Sequence, residues 1–242
     1  MSLALSTTPA PAVSGGQDVQ RTNGYTVAVL APVIMCSGAL IDSRHVVTTA
    51  TCINYLEPGD VEVYVGSNKY YADGLTKAVS KIDTPQSLNL ETYEANIAVL
   101  TLEPALTPEE MSKFTINPVP RATTLPSVNE LATVTGYGAT DSKLTLPDVM
   151  QRAQLRVYSR TLCNQLKHNK LTATMFCAGD PTGVKDLCPA DQGAPLVYDG
   201  KLVGIYSWGC SCGLAAPNPS SPVFTSIPSF RAWIDKVVNG TA

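Results

Sequence analysis

Charge is scarce in this sequence. Asp, Glu, Lys and Arg together make up 15% of its 242 residues, and the net charge is −3. That balance excludes nucleic acid as a partner, because phosphate binding needs a basic face. Histidine is scarcer still, with only His45 and His168. Two scattered imidazoles cannot build a metal site, and no nucleotide or cofactor motif is present, so no cofactor is expected. A membrane-spanning run is missing too. The one long uncharged stretch, residues 22–41, is interrupted by Pro32, Ser37 and Gly38 and is rich in Val and Ile. It reads as two buried strands with a turn between them, not as a helix in lipid. The start, Met1-Ser-Leu-Ala-Leu5, lacks the basic region and apolar run of a secretory leader. The expectation is a chain that begins after a removed leader. Repeats, heptads and low-complexity blocks are absent.

What is present is a core-forming chain with 44% apolar residues. Its length suits one large all-β domain or two small ones. Seven cysteines at loop-like spacings point to an oxidising, secreted setting. Residues 1–12 are small, polar and proline-containing, as in a flexible tail or pro-segment. From Gly24 onward, short β-branched runs alternate with Gly, Pro, Asn and Asp. They are residues 25–30, 33–41, 45–49, 61–65, 97–102, 132–136, 153–157, 195–197, 201–207 and 223–225. Such spacing predicts a sandwich or barrel. Helical pattern is confined to Ser159–Lys167, with Ser159 as N-cap, and to Ile227–Val238. In the second, Phe230, Trp233, Ile234 and Val237 share one face. Residues 121–129 carry Thr, Pro and Ser and suit a connector between domains.

Several ordered motifs then carry a family resemblance. Cys188-Pro-Ala-Asp-Gln-Gly-Ala-Pro195 resembles the nucleophile loop of chymotrypsin-like serine proteases, Cys-x-Gly-Asp-Ser-Gly-Gly-Pro. Thr48-Thr-Ala-Thr-Cys52 is similar to Thr-Ala-Ala-His-Cys, which supplies the base. Asn96-Ile-Ala-Val-Leu100 is similar to Asp-Ile-Ala-Leu-Leu, which supplies the orienting carboxylate. Thr135-Gly-Tyr-Gly138, Ser159-Arg-Thr-Leu-Cys163, Met175-Phe-Cys-Ala-Gly179 and Ser207-Trp-Gly209 match further landmarks. The resemblance implies two antiparallel six-stranded β-barrels and a C-terminal α-helix. Residues 13–123 would form the first barrel and residues 124–242 the second, with its helix.

The resemblance also implies a triad whose three places hold Thr51, Asn96 and Gln192. A hydroxyl, an imidazole and a carboxylate are what the mechanism needs, and none stands at its place. The chain is therefore expected not to be an enzyme, and to act instead by binding proteins. His45 and His168 are read as structural. Asp186 falls where trypsin-like enzymes place the carboxylate that binds Lys or Arg, and Gly209 matches the pocket wall. Tyr206 and Pro222 replace small residues there and are expected to obstruct the slot. Ala190 replaces the glycine whose N–H helps form the oxyanion hole. Val13-Ser-Gly-Gly16 resembles the start of a mature protease, whose freed amine pairs with the aspartate at Asp191. Ala12 is not a trypsin cleavage site, and no such pairing is expected while residues 1–12 are attached.

The cysteines pair by resemblance as Cys36–Cys52, Cys163–Cys177 and Cys188–Cys212, each closing a loop worth about 3 kcal/mol in the chain-entropy model. Cys210 is left over. A second reading, an active hydrolase with a rearranged site, would make Cys210 its nucleophile, although no histidine partner is recognisable. Within the family, the chain resembles the mite trypsin-like allergens and the scabies mite inactivated serine protease paralogues. That narrower resemblance implies a secreted monomer whose partners are host plasma or complement proteins, with no membrane and no nucleic acid involved.

Overall fold

The computed structural model describes residues 13, 15–69, 71–139, 145–209, 212 and 220–241. A two-residue strand, β1 (Gln17–Asp18), comes first. Six strands follow: β2 (Thr26–Leu30), β3 (Met35–Leu40), β4 (His45–Thr48), β5 (Glu62–Val65), β6 (Leu75–Asp83) and β7 (Ala98–Glu103). They close into an antiparallel barrel in the order β2-β3-β4-β7-β6-β5. A short helix, α1 (Pro108–Lys113), separates it from the second half. There β8 (Leu131–Gly136), β9 (Gln151–Val157), α2 (Arg160–Leu166), β10 (Met175–Gly179), β11 (Pro195–Tyr198), β12 (Lys201–Trp208) and β13 (Val223–Ser226) lead to the final helix α3 (Ile227–Val238). The sheet runs β9-β10-β13-β12-β11-β8, and the β8–β9 pairing closes it into a second six-stranded barrel. β1 pairs with β9 on its outside.

Alternation along the strands explains how the barrels meet. In β2, Val27 and Val29 point into the first barrel's core, while Ala28 and Leu30 pack with Tyr137 and Met150 from the other half. In β7, Ala98, Leu100 and Leu102 fill the barrel and Val99 turns to the opposite side. There it meets Leu202, Ile205 and the apolar face of α3, formed by Phe230, Ile234 and Val237. Both strands are therefore apolar on two faces. The cleft between the barrels is a seam of core, with loops from each half at its mouth.

Two elements depart from the sequence pattern. Helical structure is not confined to the two expected segments, because α1 also forms. Thr107 accepts the Glu110 N–H at 3.2 Å and the Glu110 carboxylate accepts the Thr107 N–H at 2.8 Å. This reciprocal cap, with Pro108 in the first turn, starts a helix too short to show periodicity. Glu110 also holds the buried Lys77 ammonium of β6 at 2.7 Å. β6 shows no strand pattern in the sequence because Thr76, Ser80 and Lys81 face solvent and few apolar residues mark its inner face. Conversely, the run from Val33 becomes strand only at Met35. Residues 31–34 form a turn closed by Ala31 N–H to Ile34 O at 3.0 Å, which leaves Val33 95% exposed.

Candidate functional site

Thr51, Asn96 and Gln192 come together at the mouth of the seam. Thr51 lies on a single 3-10 turn, residues 50–52, at the end of β4. The Cys36–Cys52 disulfide ties this turn to β3. Asn96 precedes β7 and is fully buried. Its Oδ1 accepts the Thr51 backbone N–H at 3.0 Å. Its Nδ2 donates to Ser207 Oγ at 2.8 Å and to Thr51 Oγ1 at 3.2 Å. Its carbonyl accepts the Thr225 hydroxyl at 2.9 Å. Every polar group of the asparagine side chain is thus engaged, as burial requires. The cluster carries no charge, and none of its hydroxyls or amides accepts a proton near neutral pH. A carboxylate at position 96 would lie buried with no cation beside it, which is costly. The asparagine suits a neighbour that is threonine.

Gln192 stands across the cleft. Its carboxamide Oε1 accepts the backbone N–H of Ala190 at 3.0 Å. Its main-chain carbonyl accepts the Ser37 N–H at 2.8 Å, which fixes the loop to the first barrel. Ala190 adopts φ +72°, a left-handed conformation that costs an alanine about 1 kcal/mol. The loop has kept a glycine-like shape in spite of its Cβ. The N–H that shape presents is occupied by a side chain two residues away.

Asp191 sits between them and is fully buried. One carboxylate oxygen accepts the Gly138 N–H at 2.9 Å and the other accepts the Cys188 N–H at 3.0 Å. Burial, aided by the nearby Asp186, lifts its pKa to about 7 against the pull of those two amides. A Cβ on Gly138 would come within 2.3 Å of the Asp191 carboxyl carbon, so only glycine lets the backbone close over this group. Backbone amides are the donors that the structure gives Asp191. Val13 is buried in the second barrel's apolar cluster beside Leu187 and Val134.

Tyr206, Asp186 and Pro222, the residues expected at the specificity slot, are all buried. Tyr206 of β12 is 0% exposed and packs edge-on against Phe224 at 6.0 Å. Asp186 is 1% exposed and accepts the Ser220 hydroxyl at 2.9 Å. Pro222 is buried as well, its carbonyl taking the Ala178 N–H at 3.3 Å. A cleft of about 290 Å³ is lined by Ile34, Thr51, Tyr93, Gln192, Tyr206, Trp208 and Gly209. It reaches Tyr206, and neither Asp186 nor Pro222 lines it.

Two parts of this cleft were not legible from motifs. Lys167, after α2, donates to the Gly209 carbonyl at 3.1 Å, and its ammonium lies 5.7 Å from the Trp208 ring centre. Trp208 also stacks on Tyr93 at 5.8 Å. Nothing in the local sequence of Lys167 marks a partner 42 residues away. Ser207, by contrast, is a landmark in the sequence, and its hydroxyl completes the Asn96 cluster. The histidines stay outside. His45 Nδ1 bonds the Asp42 carboxylate at 2.9 Å, and His168 is exposed beyond α2. The three disulfides are those expected, Cys36–Cys52, Cys163–Cys177 and Cys188–Cys212. Cys210 lies outside the described residues.

The Trypsin family model matches residues 13–234. The vitellin-degrading protease of Bombyx mori is 31% identical over 93% of this chain and 84% of its own length. The trypsin of Phaedon cochleariae is 33% identical over 83% of this chain and 78% of its own length. Trypsin I-P1 of Gallus gallus is 30% identical over 92% of this chain and 87% of its own length. Among solved structures, the scabies mite inactivated protease paralogue S-D1 superposes with a TM-score of 0.83 at 24% identity, covering 94% of this chain and 98% of that one. At that identity the match shows the fold. The mouse serine protease neuropsin superposes with a TM-score of 0.80 at 25% identity, covering 92% and 98%. The sequence relatives bear the names of working proteases, so the family is enzymatic. This corrects the expectation that the chain is not an enzyme. That expectation read three side chains, which bear on one mechanism only.

Proposed function

Because the chain belongs to the trypsin family, we propose that Thr51, Asn96 and Gln192 occupy its triad places and that the face around them binds a protein partner. One observation carries the reading: the cleft reaches a buried tyrosine, and exposed apolar side chains lie beside its lining residues in the sequence. Ile34 lines the cleft and is 42% exposed, its neighbour Val33 is 95% exposed, and Tyr55, three residues past the Cys52 disulfide, is 94% exposed. Exposed aromatic and aliphatic anchors near a concave surface are what protein interfaces use. The rigid frame beneath, pinned by Cys36–Cys52 and the Asn96 cluster, keeps those anchors in place without an ordering cost on binding.

Asp186, Tyr206, Gly209 and Pro222 are assigned as the remnant of the specificity pocket. Three disulfides support an extracellular setting for the protein. Host plasma proteins, complement among them, are the partner class that this reading takes. A haemolytic assay of serum complement with added folded protein tests this. Dose-dependent loss of lysis is the expected result. Unchanged lysis, with no plasma protein retained by the immobilised chain, overturns the reading.

A further inference from the structure

A second concave site lies on the outer face of the second barrel and shares no lining residue with the cleft. It has a volume of about 290 Å³. Its floor follows from strand pairing. Gln17 of β1 stands opposite Arg152 of β9, and Thr133 of β8 stands opposite Gln154. Because successive side chains alternate, Arg152 and Gln154 face outward together while Ala153 points into the core. The wall is the turn at residues 180–185, which brings Lys185 to the rim. That turn is built firmly. The Asp180 carboxylate accepts the Val184 N–H at 3.1 Å, the Lys185 N–H at 3.0 Å and the Thr182 hydroxyl at 2.7 Å. Gly15 completes the enclosure at φ +72°, where a Cβ would come within 2.6 Å of the Val184 carbonyl.

The charges in this site are uncompensated. Arg152 and Lys185 both line it, and among the described residues no acidic side chain does. Among the described residues neither cation enters an ion pair. Three carboxylates close in sequence to the lining residues have partners of their own. Asp18 accepts from Gln151 Nε2, Asp180 holds its own turn, and Asp186 is buried with Ser220. Two converging cations on a protein of net charge −3 call for an oxyanion. Gln17, Gln154 and Thr133 add neutral donors and acceptors suited to hydroxyl groups. Among the described residues, no aromatic or large aliphatic side chain lines the site to receive an apolar group. The volume is at the lower end for ligand pockets, enough for about one sugar ring with its charged substituent.

We propose that this site binds an acidic saccharide unit, one bearing a sulfate or a carboxylate, with Arg152 and Lys185 holding the anion and Gln17, Thr133 and Gln154 the hydroxyls. Isothermal titration of the full chain with three disaccharides tests it: one sulfated, one carrying an unsulfated uronic acid, and one neutral. At least one acidic probe is expected to bind ten-fold or more tightly than the neutral one, and binding is expected to weaken as sodium chloride rises. The acidic probe that binds identifies whether sulfate or carboxylate is preferred. Arg152→Gln and Lys185→Gln are each expected to weaken binding at least five-fold, and Arg44→Gln, on the other barrel, to leave it unchanged. Both pocket side chains are solvent-facing, and an unchanged thermal midpoint verifies folding of each variant. Equal binding of acidic and neutral probes, no binding of any probe, or full affinity in the Arg152→Gln/Lys185→Gln variant would overturn the proposal.

Discussion

The carboxamide oxygen of Gln192 accepts the backbone N–H of Ala190 at 3.0 Å, so the loop satisfies its own donor from within. A serine at 192 would be too short to repeat this contact. It would also find no proton acceptor, since its neighbours across the cleft are Thr51 and Asn96. Gln192→Ser is therefore expected to leave turnover of Arg- and Lys-ester substrates at the parent's level. The freed amide should cost about 1 kcal/mol of stability. A rise in turnover above the parent would show a base that the Asn96 cluster does not contain.

The Thr51–Asn96 pair is expected to behave as a coupled unit. Asn96→Asp alone places a charge in a neutral buried cluster, and Thr51→His alone places an imidazole beside an amide. Each should destabilise. Together they supply an ion pair, so the double variant should recover about 1–3 kcal/mol relative to the sum of the singles. Urea unfolding of the four proteins at pH 6 measures this. Additivity would mean that the two side chains do not meet as described.

Asp191 gives stability a particular pH dependence. Its pKa in the folded chain is about 7, well above that of an exposed aspartate, because it is buried. Between those two values the folded chain holds a proton that the unfolded chain has lost. The contribution is therefore fully present below the unfolded value and is lost as pH rises through about 7. Other carboxylates are held low, Glu110 by its hydrogen bond to Lys77 above all, and pull the other way at acid pH. The difference between the parent and Asp191→Asn isolates the effect. The parent is expected to lose stability relative to the variant between pH 5 and 8. Parallel curves would contradict the burial argument.

Much of this architecture was legible in the sequence, for physical reasons that differ by element. β2 and β7 announced themselves because both of their faces are buried and both are apolar. α3 did so through Phe230, Ile234 and Val237 at helical spacing. β6 did not, since Thr76, Ser80 and Lys81 face water and its buried face includes Lys77, whose charge is met by Glu110 from a separate element. The site divides the same way. Thr51, Asn96 and Gln192 were found by their place in motifs. The Lys167 bond to Gly209 and the Tyr93–Trp208 stack depend on long-range closure that no local pattern encodes.

Tyr206 and Pro222 should act as a removable plug over Asp186. Tyr206→Val with Pro222→Gly is expected to open the slot and let benzamidinium reach the carboxylate. Its affinity should then rise at least ten-fold over the parent, and stability should fall by about 3–5 kcal/mol from the lost ring. Titration calorimetry reports both Kd and its dependence on Asp186, through Asp186→Asn in the same background. Benzamidinium binding of equal strength in the parent would show that the slot is already open.

The exposed apolar side chains of Val33 and Tyr55 offer the most direct measurement. Surface plasmon resonance of purified complement components over the immobilised chain should give saturable binding to at least one of them. Val33→Asp/Tyr55→Ala, whose side chains are 95% and 94% exposed and carry no part of the core, should fold as the parent does and bind at least ten-fold more weakly. Undiminished binding by that variant, or no binding by the parent, would contradict the proposal that this face is the protein-binding surface.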